Sequence, residues 1–109
     1  MIEIDASNNI KITRGDTATI DISIIDEEGE EYTLREGDQI IFSVKRLSSQ
    51  ASVLIEKVLT NKQLVLDTDD TDALSFGKYK YDMVLISESE VSTFICFKDF
   101  IIEEEVHNL

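Results

Sequence analysis

Proline and tryptophan are absent from this sequence, and its 109 residues include four glycines, one cysteine and one histidine. Each scarcity excludes something. With so little glycine and no proline there is no flexible low-complexity linker, and no glycine-rich phosphate loop can be traced. The lone Cys96 cannot form an intrachain disulfide, which suits a protein made and kept in a reducing compartment. Its setting, Phe94-Ile95-Cys96-Phe97, predicts a small buried core residue rather than a reactive thiol. One cysteine and one histidine cannot build a zinc site of the usual nitrogen and sulfur type. A Ser-His-Asp or Cys-His arrangement would have to use His107, which follows Glu103-Glu104-Glu105 and reads as a tail residue. No run approaches the roughly 18 apolar residues of a membrane span. The opening Met1-Ile2-Glu3-Ile4-Asp5 has neither the basic nor the apolar region of a signal peptide.

Basic residues are also few. Ten Lys and Arg stand against 23 Asp and Glu, a formal net charge of −13. Nucleic acid and anionic membranes would be repelled, so neither is expected as a partner. The balance favours solubility or docking onto a basic partner. The acids are spread through turns, as in Asp26-Glu27-Glu28, Asp69-Asp70 and Glu103-Glu104-Glu105, where solvated loops account for them.

What remains is a core-forming composition. Hydrophobic residues make up 42%, and a chain of this length buries roughly 60–70% of its unfolded surface. The expectation is a single domain over residues 1–109 with its core between about 10 and 102. Period-two alternation dominates. In Thr17–Ile24, Ile20, Ile22 and Ile24 would face inward and Thr19, Asp21 and Ser23 would face water. Asp26–Glu30 and Arg35-Glu36-Gly37-Asp38 read as turns, with Glu31–Leu34 extended between them. Gln39–Lys45 aligns Ile40, Phe42 and Val44 on one face. Leu47–Ser52 reads as a loop. Val53–Thr60 and Gln63–Asp67, joined at Asn61-Lys62, read as a hairpin in which Asn61 takes the left-handed conformation. Lys78–Ile86 places Tyr79, Tyr81, Met83 and Leu85 together, and Ser87–Glu90 is a polar turn. Val91–Ile102 is apolar on both faces, which suggests a strand covered on both sides, by a neighbouring chain on one of them. With Ile10–Thr13 as the first strand, the fold class is all-β: an immunoglobulin-like sandwich of seven to eight antiparallel strands with one short helical turn. An eight-stranded barrel is the rival. That turn, Asp69–Leu74, would be capped by Asp69 or Asp70 and plugged by Leu74. It leads through Gly77 to Tyr79 and Tyr81, a sheet-to-sheet corner at which a tyrosine hydroxyl can bond backbone.

Candidate chemistry is sparse. Asp67, Asp69 and Asp72 offer hard oxygen ligands suited to Ca²⁺, but the spacing fails the EF-hand pattern, with Asp72 where glycine is needed and Lys78 where glutamate is. The bland alternative is a capped helical turn with acids at its positive end. Arg14-Gly15-Asp16 spells an integrin-binding tripeptide, and reads more simply as a tight turn. No pair of carboxylates stands out as a glycosidase would require. The expectation is therefore no enzyme, no cofactor and no resident metal.

Four stretches carry a resemblance: Ile12-Thr13-Arg14-Gly15-Asp16-Thr17; Asp26–Gly29 with Tyr32-Thr33-Leu34; Ile40–Lys45; and Asp72-Ala73-Leu74 through Gly77-Lys78-Tyr79-Lys80-Tyr81-Asp82. In this order, over about residues 10–100, the chain resembles the N-terminal immunoglobulin-like domain of tailed-phage baseplate upper proteins and similar prophage tail domains. The family's glycine near Lys98-Asp99 is missing, and its long helical linker and further domain do not follow, so contact with a host-binding apparatus is not carried over. The resemblance implies a non-enzymatic structural protein of the virion tail, synthesised in the bacterial cytoplasm, partnering other tail or baseplate proteins and forming a homo-oligomer. Gly77, Tyr79 and Tyr81 would form the structural corner, and Phe94, Phe100 and Ile102 an interface. The alternative is a carbohydrate- or calcium-binding sandwich module.

Overall fold

Alternation of apolar and polar side chains becomes alternation of burial wherever a strand has one face on a core. In the computed structural model, which describes residues 2–46, 52–88 and 90–104, that rule generates eight strands and one short helix. They run β1 (Ile2–Ile4), β2 (Ile10–Thr13), β3 (Ala18–Asp21), β4 (Gln39–Lys45), β5 (Val53–Leu59), β6 (Gln63–Leu66), α1 (Thr68–Asp72), β7 (Gly77–Ser87) and β8 (Glu90–Glu103). Most of the predicted loop at Leu47–Ser52, together with Glu105 and His107, lies outside the described residues.

Six strands form one sheet in the order β1-β2-β8-β7-β4-β5, and β3 pairs with β6 in a separate ribbon. β2 runs parallel to β8, with Ile10 opposite Phe100 and Ile12 opposite Ile102. The large sheet is therefore mixed, which corrects the expectation of antiparallel strands throughout. The inward residues of both sheets, among them Ile20, Leu64 and Leu66 from the ribbon and Ile12, Phe42 and Phe100 from the large sheet, share one core. At its centre Phe42, Tyr81 and Phe100 meet with ring centroids 5.5, 6.0 and 6.4 Å apart, two of the three contacts edge-on, the arrangement aromatic quadrupoles prefer. Ile40, Phe42 and Val44 have no exposed surface, and burial of each such side chain is worth about 1.5–3 kcal/mol.

The ribbon strand β3 stops at Asp21, yet the inward alternation continues through Ile22 and Ile24, both buried. Their backbone is held by other partners: Ile22 N donates to Lys62 O at 2.8 Å, and Ile24 O accepts from Tyr32 N at 2.7 Å. Both predicted turns that follow are present. Asp26 Oδ1 accepts from the amides of Glu28 and Glu30 at 2.9 and 3.0 Å, and Asp38 N donates to Arg35 O at 3.0 Å. The expected hairpin at Asn61-Lys62 is not formed. β5 pairs with β4 and β6 with β3, so the chain changes sheets there, and Asn61 does not take positive φ. Its Oδ1 instead accepts from Gln63 N at 3.0 Å, turning the chain without a left-handed residue.

α1 makes the return crossing, from β6 to β7. Its N-cap is Asp67 rather than Asp69 or Asp70; Asp70 sits three residues on and accepts from Asp67 N at 2.7 Å, half of a capping box. Thr71, fully buried, accepts from Gly15 N at 2.9 Å and ties the helix to the turn between β2 and β3. Leu74 packs against the core as expected. Gly77 then takes φ +138°, a region that glycine alone occupies easily. Tyr79 Oη donates to Ser75 O at 2.7 Å across this corner, and Tyr81 Oη donates to Asn8 O. β1 escaped the sequence reading; Asp5 organises its turn into β2, accepting from Ser7 N and Asn9 N at 2.9 Å each.

Candidate functional site: the open edge of β8

β7 and β8 are much longer than the other strands, and only part of β8 has a neighbour on each side. β2 covers it from Phe100 to Glu103. From Glu90 to Phe97 its edge away from β7 pairs with no strand among the described residues. The residues from 91 to 97 read Val-Ser-Thr-Phe-Ile-Cys-Phe, seven positions without charge, glycine or proline. Val91 is 69% exposed and Phe97 47%.

The ladder to β7 explains why this half of β8 leaves the core. Tyr81 lies opposite Lys98, Met83 opposite Ile95, and Val84 opposite Thr93. From Tyr81 to Val84 is three steps, whereas Lys98 to Thr93 is five, so β8 carries two extra residues. Bulges of this kind bend a strand and increase its twist. One lies at Cys96-Phe97, where Phe97 has φ +54° and its amide donates to Asp82 Oδ1. The other lies at Phe94, which leaves Phe94 and Ile95 half-buried side by side. Through the bulges burial does not alternate: residues 91–93 are exposed, 94 and 95 half-buried, and 96 and 97 exposed again, so this part of the strand is not covered on both sides as expected. Cys96 is exposed, not buried, because the bulged strand has left the core where it was expected to pack.

Two adjoining hollows of about 290 and 390 Å³, both lined by Ile24, Ile25 and Phe94, run between the Ile22–Ile25 segment and this edge. Ile25 and Ile4 beside them are 61% and 46% exposed. Acidic groups rim them: Asp21, Asp26, Glu27 and Glu90, against the single guanidinium of Arg35.

A polar cluster closes one end. Buried Asp38 accepts from Tyr32 Oη at 2.6 Å and from Arg35 N at 2.9 Å, and the Arg35 guanidinium donates to Ser87 Oγ at 3.1 Å. The Tyr32 hydroxyl, then the Arg35 amide, hold the Asp38 carboxyl below its ordinary range. A carboxylate so engaged is a poor base near neutrality; its work is to fix the Tyr32–Asp38 loop to the end of β7. On the outer face of the large sheet Asp99 receives Lys80 Nζ at 2.6 Å and lies 3.6 Å from Lys78. The Lys80 bond is the main cause of its lowered pKa.

Comparison with protein-family models, curated proteins and solved structures finds no match for this chain. The candidate residues therefore stand on their geometry. Asp67, Asp69 and Asp72 do not converge: Asp67 caps α1, while Asp69 and Asp72 are exposed to solvent. Among the described residues no three His, Cys, Asp or Glu side chains gather around a metal-sized point, and no helix is long and apolar enough to cross a membrane. Gly15 at φ +85° and Asp16 N, donating to Thr13 O at 3.1 Å, make Arg14-Gly15-Asp16 a tight turn. The Arg14 guanidinium lies 4.3 Å from the Phe76 ring centroid. Of the three expected interface residues, Phe100 and Ile102 belong to the core, 0% and 1% exposed; β2 and the ribbon face them, and no partner can reach them. Phe94 alone remains at a surface. Val91 and Phe97, not among those three, are the more exposed members of the edge.

Proposed function

We propose that this chain is a non-enzymatic structural domain of a phage or prophage tail, baseplate-like in position, whose work is protein–protein assembly in the virion. The observation that carries the reading is the ordered resemblance over residues 10–100, with its turn at Arg14–Asp16 and its corner at Gly77–Tyr81. Those same stretches occupy sheet crossings here, and the tyrosine hydroxyl bond at the corner, Tyr79 to Ser75, agrees with an immunoglobulin-like sandwich. Its large sheet differs from the expected antiparallel form by the parallel β2–β8 pair. A rigid sandwich with an uncharged, uncovered strand edge suits a part that is built into something larger.

Immunogold labelling tests this. Particles released by the encoding bacterium, probed with antibody against the purified chain, should carry label at one end of the tail. Purified tailed particles without label, and free of the chain by mass spectrometry, overturn the reading.

A further inference from the structure

We propose that the Ile20–Ile25 segment of the smaller sheet takes an added strand from a different protein: an extended segment with apolar side chains at alternate positions and Lys or Arg at its ends. The inference rests on the assembly reading and gives one partner its chemistry. Backbone, shape and charge each contribute.

The backbone calls for a strand. β3 has β6 on one side only. Burial alternates without a break from Ala18 to Ile25, so strand geometry continues past the end of β3. Ile22 N donates to Lys62 O and Ile24 O accepts from Tyr32 N, which turns the even-numbered backbone groups towards the ribbon. The peptide groups of Asp21, Ser23 and Ile25 therefore point the other way, and no strand lies on that side among the described residues. Amides and carbonyls spaced like this are matched by another strand, not by a helix. The shape leaves room for one. Two strands face six across the core. Every residue from Ile20 to Ile25 lines the larger hollow. A hollow beneath one face of a strand would touch alternate residues; touching each in turn places it along the edge. Met83, Phe94 and Ile95 of the large sheet also line it, so every second side chain of an added strand would meet apolar surface. Charge selects the partner. Asp21, Asp26, Glu27 and Glu90 rim the hollows against the single guanidinium of Arg35. A second copy would bring a further −13, whereas a segment ending in Lys or Arg brings the complementary sign.

The probe is the peptide Lys-Val-Thr-Val-Thr-Val-Lys, with Glu-Val-Thr-Val-Thr-Val-Glu as its control, added to the full chain at about 1 mM. Hydrogen exchange followed by NMR should show the amides of Asp21, Ser23 and Ile25 slowed several-fold by the Lys-ended peptide, and the Ile22 amide, already bonded, unchanged. Ser23→Pro removes one outward donor and leaves the ribbon's own bonds in place; it should weaken binding about tenfold. Glu27→Lys with Glu90→Lys should also weaken the Lys-ended peptide about tenfold and admit the Glu-ended one. Circular dichroism confirms that each variant folds. No slowing at that concentration, equal binding of the two peptides, or binding indifferent to both changes overturns the proposal. So does slowing of the same amides with protein concentration alone, which gives the edge to a second copy. Each of these results leaves the tail assignment standing, and the immunogold experiment decides that independently.

Discussion

At the scale of residues, the structure depends on a few polar groups buried with a single partner each. Thr71 has no exposed surface and its hydroxyl accepts the Gly15 amide. Thr71→Val keeps the shape and deletes the acceptor, leaving a part-buried amide unsatisfied. The expected loss is about 1–3 kcal/mol, read by urea unfolding with the slope unchanged; a loss too small to measure would mean water replaces the hydroxyl. Tyr81 gives a pH-dependent case. Burial, then the nearby Asp5 charge, push its phenol up to about 12. The unfolded chain releases that proton near 10, so the contribution is full below pH 10 and is lost as pH rises towards 12. Tyr81→Phe should cost about 0.5–1.5 kcal/mol at neutral pH through the lost bond to Asn8. The gap to the parent chain should narrow above about pH 10, as thermal unfolding across that range will register. A constant gap would mean the phenol is not protected.

At the scale of elements, the corner after α1 carries a conformational demand that can be isolated. A Cβ on Gly77 would meet nothing within 4 Å, yet its φ is +138°. Gly77→Ala should therefore destabilise by about 1–3 kcal/mol through backbone strain alone. A calorimetric shift near zero would mean the corner relaxes. This corner was legible in the sequence because it is local: a capped turn, a glycine and an alternating aromatic strand occupy adjacent positions. β4 and β7 were legible for the same reason, each with an unbroken period of two and one buried face. The pairings that failed to show are the ones local signals do not encode. Asn61-Lys62 looks like a hairpin turn because two strands flank it; β5 instead folds back on the preceding β4, and β6 is drawn into the other sheet by β3, some forty residues earlier. The parallel contact of Ile10 with Phe100 has no local trace at all. In β8 two extra residues break the period, so Cys96 and Phe97 fell on the wrong faces, and Phe100 and Ile102 passed for surface although they close the core against β2. Of the candidate site, only Phe94 could be read in advance.

At the scale of the whole molecule, charge is the largest unbalanced term. Lysines are drawn into pairs such as Lys57–Asp70 at 2.9 Å and Lys80–Asp99 at 2.6 Å, and the acidic excess is left to repel itself, −13 in all. The molecule measures 46 × 28 × 25 Å. At about 0.01 M salt the Debye length, near 30 Å, lets most of these charges sense one another; at about 0.15 M, near 8 Å, only neighbours do. Compacting the chain is thus costlier at low salt, and raising salt between those limits should stabilise it by ~1 kcal/mol, about 4–8 °C in Tm for a domain near this size. Surface pairs lose strength over the same interval, but each is worth at most about 1 kcal/mol, and they are outnumbered. Thermal scans along a sodium chloride series read the effect. A Tm that falls with salt would mean that the specific ion pairs, rather than the acidic excess, govern the electrostatics of this fold.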